Sequence, residues 1–241
     1  ITSGLVGSEM CIRDSMNIHI QDPKVSLNNF DFVIAPEHDD LKGENVLSTK
    51  GAIHYLRESE LDDNINYLKP KIQKEKVVVL VVGGPNKYYN FRDNLVEEIF
   101  HKIKKNFLDN GYQLIFIPSM RTPQRIIDKA KDFYNGDQII ISDVDKKAYL
   151  SSLKLADHIV VTCDSTSMIS EAAITGKPIY VADMPAIKNN YRFKKFFELF
   201  KSLDIIRNLD SSVESWDYKK LNETDRIAGY IEKRFQNYDF S

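Results

Sequence analysis

From residue 76 onward, the hydrophobic pattern alternates between short apolar runs and stripes at helical spacing. Residues 76–82 (KVVVLVV) are a continuous β-branched run, which predicts a strand buried on both faces. Four more strands are predicted, at residues 112–117, 138–141, 158–162 and 179–181. Helices are predicted between and after them, at residues 92–108, from Pro123 with Thr122 as N-cap, and at 146–155, 167–175, 190–202 and 222–235. The alternation predicts an α/β fold, a Rossmann-like parallel sheet with helices on both faces.

The chain before residue 71 has a different pattern, with short apolar bursts between turn residues. Strands are predicted at residues 18–20, 32–35 and 45–47, and a polar, mostly helical or linking segment at residues 55–75. We therefore expect residues 16–70 to be the remnant of a first Rossmann-like domain with its linker. Residues 71–241 are expected to be a complete second domain that binds a nucleotide.

Residues 1–15 (ITSGLVGSEMCIRDS) fit neither a domain nor a leader. They lack the basic start and apolar core of a secretory signal, and they resemble a translated sequencing adaptor. We expect this segment to be an artefact, with the true N-terminus missing and the first domain truncated.

Composition excludes several classes of protein. The 241 residues carry a formal net charge of −2, so no global basic field attracts nucleic acid. Two cysteines cannot build a disulfide framework, and the five histidines show no metal-ligand spacing, so we expect no metal. The longest aliphatic run, residues 77–82, is too short to span a bilayer. These features favour a cytoplasmic protein.

Ligands of parallel sheets bind beyond the carboxyl ends of the strands, so the loops there hold the candidate residues. The first such loop contains Gly83, Gly84, Asn86 and Lys87. Paired glycines can present backbone N–H groups to a phosphate, but this is not a known phosphate-binding motif, and by itself it favours a tight turn.

The second loop contains Arg121 and Thr122, just before a predicted helix. An anion is favoured at a helix start, and an exposed arginine beside an ordinary cap explains the residues equally well.

The loop after the fourth strand contains Asp164, Ser165, Thr166 and Ser167, followed by Glu171. Small polar residues at a helix start favour a bound diphosphate, and we expect Glu171, near the first turn, to accept from two vicinal ribose hydroxyls. The alternative is a helix with redundant caps and a glutamate that complements its dipole. One cap would suffice for that purpose, so the run of them favours binding.

His38 and Asp39 follow a predicted buried strand and a proline. His38 is a candidate general base oriented by Asp39. The alternative is a solvated acidic turn.

Together these segments resemble a known family. The motifs occur in order: QDP at 21–23, APEHD at 35–39, NVLSTKGA at 45–52, GGPNK at 83–87, RTP at 121–123, DSTSMISEA at 164–172, TGKPIYV at 175–181 and ESWDYKKLNET at 214–224. The chain is similar to the mitochondrial fission, or elongated-mitochondria, family, which has plant and bacterial members, and we expect a bacterial-type member. That family is similar in turn to glycosyltransferases of the B type, which have two Rossmann-like domains.

The resemblance implies a metal-independent transfer from a nucleoside-diphosphate sugar to an envelope or other acceptor, with no cofactor. By resemblance, Glu171 would bind ribose, and Ser165, Thr166 and Ser167 the diphosphate or sugar. Gly83 and Gly84 would line the phosphate side. The alternatives are a non-catalytic adaptor on the same fold and an enzyme resembling sugar 2-epimerases.

Basic residues and phenylalanines interleave at residues 188–201. They indicate either peripheral contact with the inner membrane or, as we favour, an amphipathic helix packed on its own sheet.

Overall fold

The computed structural model describes residues 16–210 and 212–236 and divides the chain into two compact units. Of the described residues, 16–50 and 223–236 belong to the smaller unit, and the larger is Gly51–Asn222. Residues 51–70 belong to the larger unit because Leu56, Leu61 and Leu68 are buried in its core. The units thus differ from the predicted domains, whose assignment as remnant and complete domain stays a prediction. The proposed artefact at residues 1–15 lies outside the described residues.

The smaller unit is a three-stranded parallel sheet with one helix. The strands lie in the order β1 (Ile18–Ile20), β2 (Phe32–Pro36) and β3 (Val46–Thr49), and helix α7 (Glu223–Gln236) returns to them. Lys50 N–H donates to Glu223 Oε2 at 2.8 Å, and Arg226 Nη2 donates to the Ser48 carbonyl at 2.6 Å. These bonds join the end of β3 to the first turn of α7.

The larger unit contains a six-stranded parallel sheet flanked by helices, which confirms the predicted α/β class. Its strands are β4 (Lys76–Val82), β5 (Tyr112–Pro118), β6 (Ile139–Ile140), β7 (His158–Thr162), β8 (Ile179–Ala182) and β9 (Ile206–Asn208), in the order β6-β5-β4-β7-β8-β9. We predicted five strands. The sixth, β9, is a short edge strand with polar Arg207 and Asn208, so it carries almost no hydrophobic signal.

Six helices accompany this sheet: α1 (Glu58–Asn64), α2 (Asp93–Asn106), α3 (Gln124–Phe133), α4 (Lys146–Leu155), α5 (Thr166–Ala172) and α6 (Tyr191–Ser202). One predicted helix start is wrong. Helix α3 begins at Gln124 with Pro123 as its N-cap, because Thr122 bonds to the end of β4 instead. Helix α5 ends at Ala172 and continues as a 3-10 turn to Thr175, where Gly176 closes it at φ +73°.

The core forms around β4 and β5, where every residue except Lys76 is buried. Because side chains on both faces of these strands are covered, the sheet is packed on two sides. Phe100 of α2 makes an edge-to-face contact with Phe116 of β5, with ring centroids 6.2 Å apart. Each large side chain buried this way contributes about 1.5–3 kcal/mol.

The strand order fixes where loops converge. The chain begins the sheet at β4, adds β5 and β6 on one side, and then crosses to add β7, β8 and β9 on the other. After β4 the chain continues to one side of the sheet, and after β7 it continues to the other side. The position between these two neighbouring strands is therefore a topological switch point, where open parallel sheets bind ligands.

Candidate functional site

The loops after β4 and β7 are bonded to each other at the switch point. Gly83 N–H donates to Thr162 Oγ1 at 2.8 Å, and Gly84 N–H donates to Asp164 Oδ2 at 3.1 Å. Thr162 Oγ1 in turn donates to Asp164 Oδ1 at 2.6 Å. The structure thus brings together three predicted residues, Gly83, Gly84 and Asp164, and it uses both glycine N–H groups within the protein.

The glycine pair is explained by close packing. A Cβ on Gly83 would lie 2.2 Å from Asp164 Oδ2, and a Cβ on Gly84 would lie 1.8 Å from the Arg121 carbonyl oxygen. No side chain fits at either position. These contacts explain why both residues are glycine even when no ligand is bound, in agreement with the alternative of a tight turn. A phosphate-binding role for the pair stays a prediction.

Arg121 closes the same cluster from the loop after β5. Its Nη2 donates to Asp164 Oδ2 at 2.7 Å and its Nη1 to the Gly84 carbonyl at 2.9 Å. The Asp164 side chain is fully buried, whereas that of Arg121 is 42% exposed. Burial raises the pKa of the Asp164 carboxyl, and hydrogen bonds from Thr162 and Gly84, together with the Arg121 charge, oppose that shift.

Asn86 and Thr122 also serve the loops. Asn86 Nδ2 donates to the Asp164 carbonyl at 3.1 Å, while its Oδ1 accepts from Tyr88 N–H at 2.7 Å. Thr122 Oγ1 lies 2.7 Å from the Val82 carbonyl, to which it donates. Both side chains therefore have structural partners.

Lys87 is placed differently from its neighbours. Its side chain is exposed, and its Nζ lies 4.9 Å from the centre of the Tyr88 ring.

Within the predicted run of small polar residues, Ser165 caps α5. Ser165 Oγ accepts from Met168 N–H at 3.4 Å, the Thr166 carbonyl accepts from Ser170 Oγ at 2.8 Å, and Ser167 is exposed. The helix has seven residues, so Glu171 is next to its last residue rather than near its first turn. The binding roles predicted for these residues stay predictions.

Glu171 instead faces a pocket at the carboxyl edge of the sheet. The cavity has a volume of about 220 Å³. Its walls are mainly apolar, with a few polar groups, and comprise Tyr55, Val81, Ile117, Pro118, Ser119, Met120, Val144, Asp145, Lys146, Tyr149, Met168 and Glu171. An apolar cavity with a few placed polar groups is typical of small-molecule sites.

The polar end of this pocket is the pair formed by Tyr149 and Glu171. Tyr149 Oη donates to Glu171 Oε2 at 2.8 Å, and both side chains are half-buried. Burial raises the pKa of the Glu171 carboxyl, while the bond from Tyr149 acts in the opposite direction. A carboxylate held by one donor keeps acceptor capacity for a ligand hydroxyl.

Sequence reasoning missed most of this pocket. Tyr149, Met120 and Val144 were not candidates because none belongs to a polar motif. The available signal was position: Tyr149 lies in the first turn of α4, which follows β6, so the chain enters that helix from the carboxyl edge of the sheet.

His38 and Asp39 lie in the smaller unit, directly after β2. The His38 side chain is 6% exposed and that of Asp39 is 7% exposed, so this is not a solvated turn. Nε2 of His38 lies 3.6 Å from Asp39 Oδ1, which is longer than a hydrogen bond, so the role of His38 as a base oriented by Asp39 stays a prediction.

Comparison with known proteins places the chain in a family. Residues 9–235 match the family model described as mitochondrial fission ELM1. The chain belongs to the mitochondrial fission ELM1 family. The match begins inside the segment that we expected to be an artefact.

Two relatives share this similarity at the level of sequence. An uncharacterized protein of Rickettsia prowazekii, RP120, is 27% identical over 202 residues, covering 81% of this chain. The mitochondrial fission protein ELM1 of Arabidopsis thaliana is 25% identical over 246 residues, covering 90%. The chain spans 57% of the length of each of these relatives.

Among solved structures, the chain is similar to the UDP-GlcNAc 2-epimerase of Neisseria meningitidis bound to UDP-GlcNAc. The two are 13% identical with a TM-score of 0.44, over 86% of this chain and 55% of the epimerase.

Two further findings concern only the described residues. Within residues 16–210 and 212–236, no three His, Cys, Asp or Glu side chains form a group that could hold a metal ion. No helix in the same part of the chain is long and apolar enough to cross a membrane.

Proposed function

We propose that this ELM1-family chain binds a nucleoside-diphosphate sugar in the pocket at the carboxyl edge of the larger unit. The observation that carries the proposal is the Tyr149–Glu171 pair at the polar end of an otherwise apolar cavity. The apolar walls suit a nucleobase, and the free acceptor positions of Glu171 suit the hydroxyls of a ribose.

The size of the cavity limits what it holds. Its 220 Å³ is less than the ~300–1,000 Å³ of typical ligand sites, so it suits the nucleoside rather than a whole nucleotide sugar. The diphosphate would lie outside it. Arg121 uses two of its five N–H groups in the bonds to Asp164 and Gly84, and it is the cation we assign to the diphosphate.

The proposed reaction is sugar transfer to an acceptor, in the bacterial envelope or elsewhere. The acceptor oxygen bonds to the anomeric carbon, the bond from that carbon to the diphosphate oxygen breaks, and the diphosphate leaves with the electron pair. His38 takes the proton of the acceptor, with Asp39 orienting the ring. We place the protein in the bacterial cytoplasm.

A second candidate is a binding protein without catalysis. It is favoured by the Gly83 and Gly84 N–H groups, which are bonded to Thr162 and Asp164 instead of being open to a phosphate.

Two measurements separate these functions. Thermal unfolding against a panel of nucleoside diphosphates and their sugars should show a rise in Tm with one base, and Glu171→Ala should abolish the rise. Nucleoside diphosphate release from the matching sugar nucleotide then tests catalysis, and His38→Ala should abolish it. A Tm shift without release favours a nucleotide-binding protein without catalysis. No shift from a folded chain rejects nucleotide binding and favours the adaptor.

A further inference from the structure

Two segments that follow β4 and β8 form one surface beside the carboxyl edge of the larger unit. Ile187 N–H donates to the Tyr88 carbonyl at 2.8 Å, and the Phe193 ring lies 5.3 Å from the Tyr88 ring, edge to face. We call this surface the basic–aromatic rim. It comprises Lys87, Tyr88, Ile187, Lys188, Tyr191 and Lys194.

The rim presents apolar side chains that the core does not use. Phe196 and Phe200 of α6 are fully buried, so the predicted amphipathic packing accounts for these two phenylalanines. Ile187 and Tyr191 are 46% and 55% exposed. Exposed aliphatic and tyrosine side chains on one short segment are typical of surfaces that insert into the headgroup region of a bilayer.

The rim is also a local concentration of positive charge. Residues 183–198 contain four basic residues and two acidic ones, Asp183 and Glu198, so this segment carries a net charge of +2, although the whole chain carries −2. Within the part of the chain that the structure describes, Lys188 and Lys194 have no acidic side chain at ion-pair distance. A basic patch on an otherwise slightly acidic protein gives an anionic surface one preferred face to attract.

We propose that the basic–aromatic rim binds the surface of an anionic lipid bilayer. The lysines contact the headgroups, while Ile187 and Tyr191 enter the interface. An acidic protein partner would use the lysines but would leave exposed Ile187 unexplained. The proposal does not depend on nucleotide binding, because the rim shares no residue with the Tyr149–Glu171 pocket.

The test is flotation of the full chain with vesicles of phosphatidylcholine alone or with phosphatidylglycerol added. We expect binding only to the anionic vesicles, weakened about tenfold or more by high salt. Lys188→Glu with Lys194→Glu should abolish binding, and Ile187→Ser with Tyr191→Ser should weaken it at least about fivefold.

The matched control is Lys102→Glu with Lys105→Glu, which makes the same charge change on exposed positions of α2. It should keep most of the binding. The proposal is overturned if the wild-type chain ignores anionic vesicles at low salt, or if the control loses as much binding as the rim variant. It is also overturned if the rim variants change only the oligomeric state, which would make the rim an interface between copies.

Discussion

The guanidinium of Arg121 and the carboxylate of Asp164 lie 2.7 Å apart, and this ion pair joins the loops after β5 and β7. Because Asp164 also accepts from Gly84, one buried carboxylate fixes three loops at the switch point. The position of the loop that contains Gly84 therefore depends on the carboxylate of Asp164, which is distant in the sequence.

This relationship predicts coupling between the two side chains. A double-mutant cycle with Arg121→Ala and Asp164→Asn should give an interaction energy of about 1 kcal/mol in urea unfolding. We expect this modest value, and not the larger cost of breaking a fully buried pair, because Arg121 is 42% exposed and partly screened by water. Additive effects of the two substitutions would contradict a direct pair.

Replacing Gly84 by alanine should destabilise the fold through a steric clash, and Gly229 provides a matched control in the same chain. Gly84→Ala would place a Cβ 1.8 Å from the Arg121 carbonyl oxygen, which is backbone and cannot rotate away. We expect a loss of about 3 kcal/mol or more. Gly229→Ala, in α7 with no atom within 4 Å of the new Cβ, should stabilise by about 0.5–1 kcal/mol. Chemical denaturation of both variants checks the opposite signs; similar effects would refute the steric account.

Removing the Tyr149 hydroxyl should cost stability. Tyr149→Phe deletes the 2.8 Å bond to half-buried Glu171, with an expected loss of about 1 kcal/mol in the free energy of unfolding. The comparison is Tyr67→Phe, which deletes a 2.7 Å bond to Asp145 from a more exposed tyrosine and should cost less. If Tyr149→Phe costs no stability, the Tyr149 bond is not a stabilising part of the pocket; if Tyr67→Phe proves the more costly change, burial does not set the size of the loss.

His158 predicts a loss of stability in mild acid. Its ring is 2% exposed, and its Nε2 lies 3.1 Å from the Glu214 carbonyl, which can only accept. Burial lowers the pKa of His158 below 6.5, so the unfolded chain takes up a proton at a higher pH than the folded chain does. The stability that neutral, buried His158 contributes is fully present above pH ~6.5, and it is lost as the pH falls from there toward the pKa of His158 in the folded chain.

The measurement is urea unfolding at pH 7.5 and pH 5.5. His158→Phe should lose less stability than the wild type between these conditions, whereas His101→Gln, at an exposed histidine, should behave like the wild type. Half-buried His54, whose pKa is also lowered by burial, is present in every variant and does not affect the comparison. If His158→Phe keeps the pH dependence of the wild type, a group other than His158 causes the loss of stability in acid.

Most of the larger unit could be predicted from hydrophobic spacing. The run at Lys76–Val82 is apolar because both faces of β4 are covered, and each of the five predicted strands exists. Short β9 could not be found this way, because two of its three residues are polar. Helix α3 was misplaced because Thr122 has the sequence of a cap but bonds to the carbonyl of Val82, a contact that only the tertiary structure creates.

The sequence predicted where the candidate site lies, but it did not predict which side chains contact each other there. Sequence placed Gly83, Asp164 and Glu171 at the carboxyl edge because each follows a strand there. It could not show that the carboxylate of Asp164 fills the space beside Gly83, or that Glu171 faces Tyr149. Both facts depend on side-chain directions between segments far apart in the chain.

The central claim is that Glu171 holds the ribose of a nucleotide in the carboxyl-edge pocket. Titration calorimetry of the folded chain with nucleoside diphosphates tests it, using Glu171→Gln, which keeps the size of the side chain and removes its charge. The control is Glu98→Gln, at an exposed position on α2. We expect one nucleotide to bind the wild type and the control alike, and to bind Glu171→Gln at least about tenfold more weakly, or about 1.4 kcal/mol. Equal affinity for Glu171→Gln and the wild type, or no affinity of the folded wild type for any nucleotide, would contradict the account.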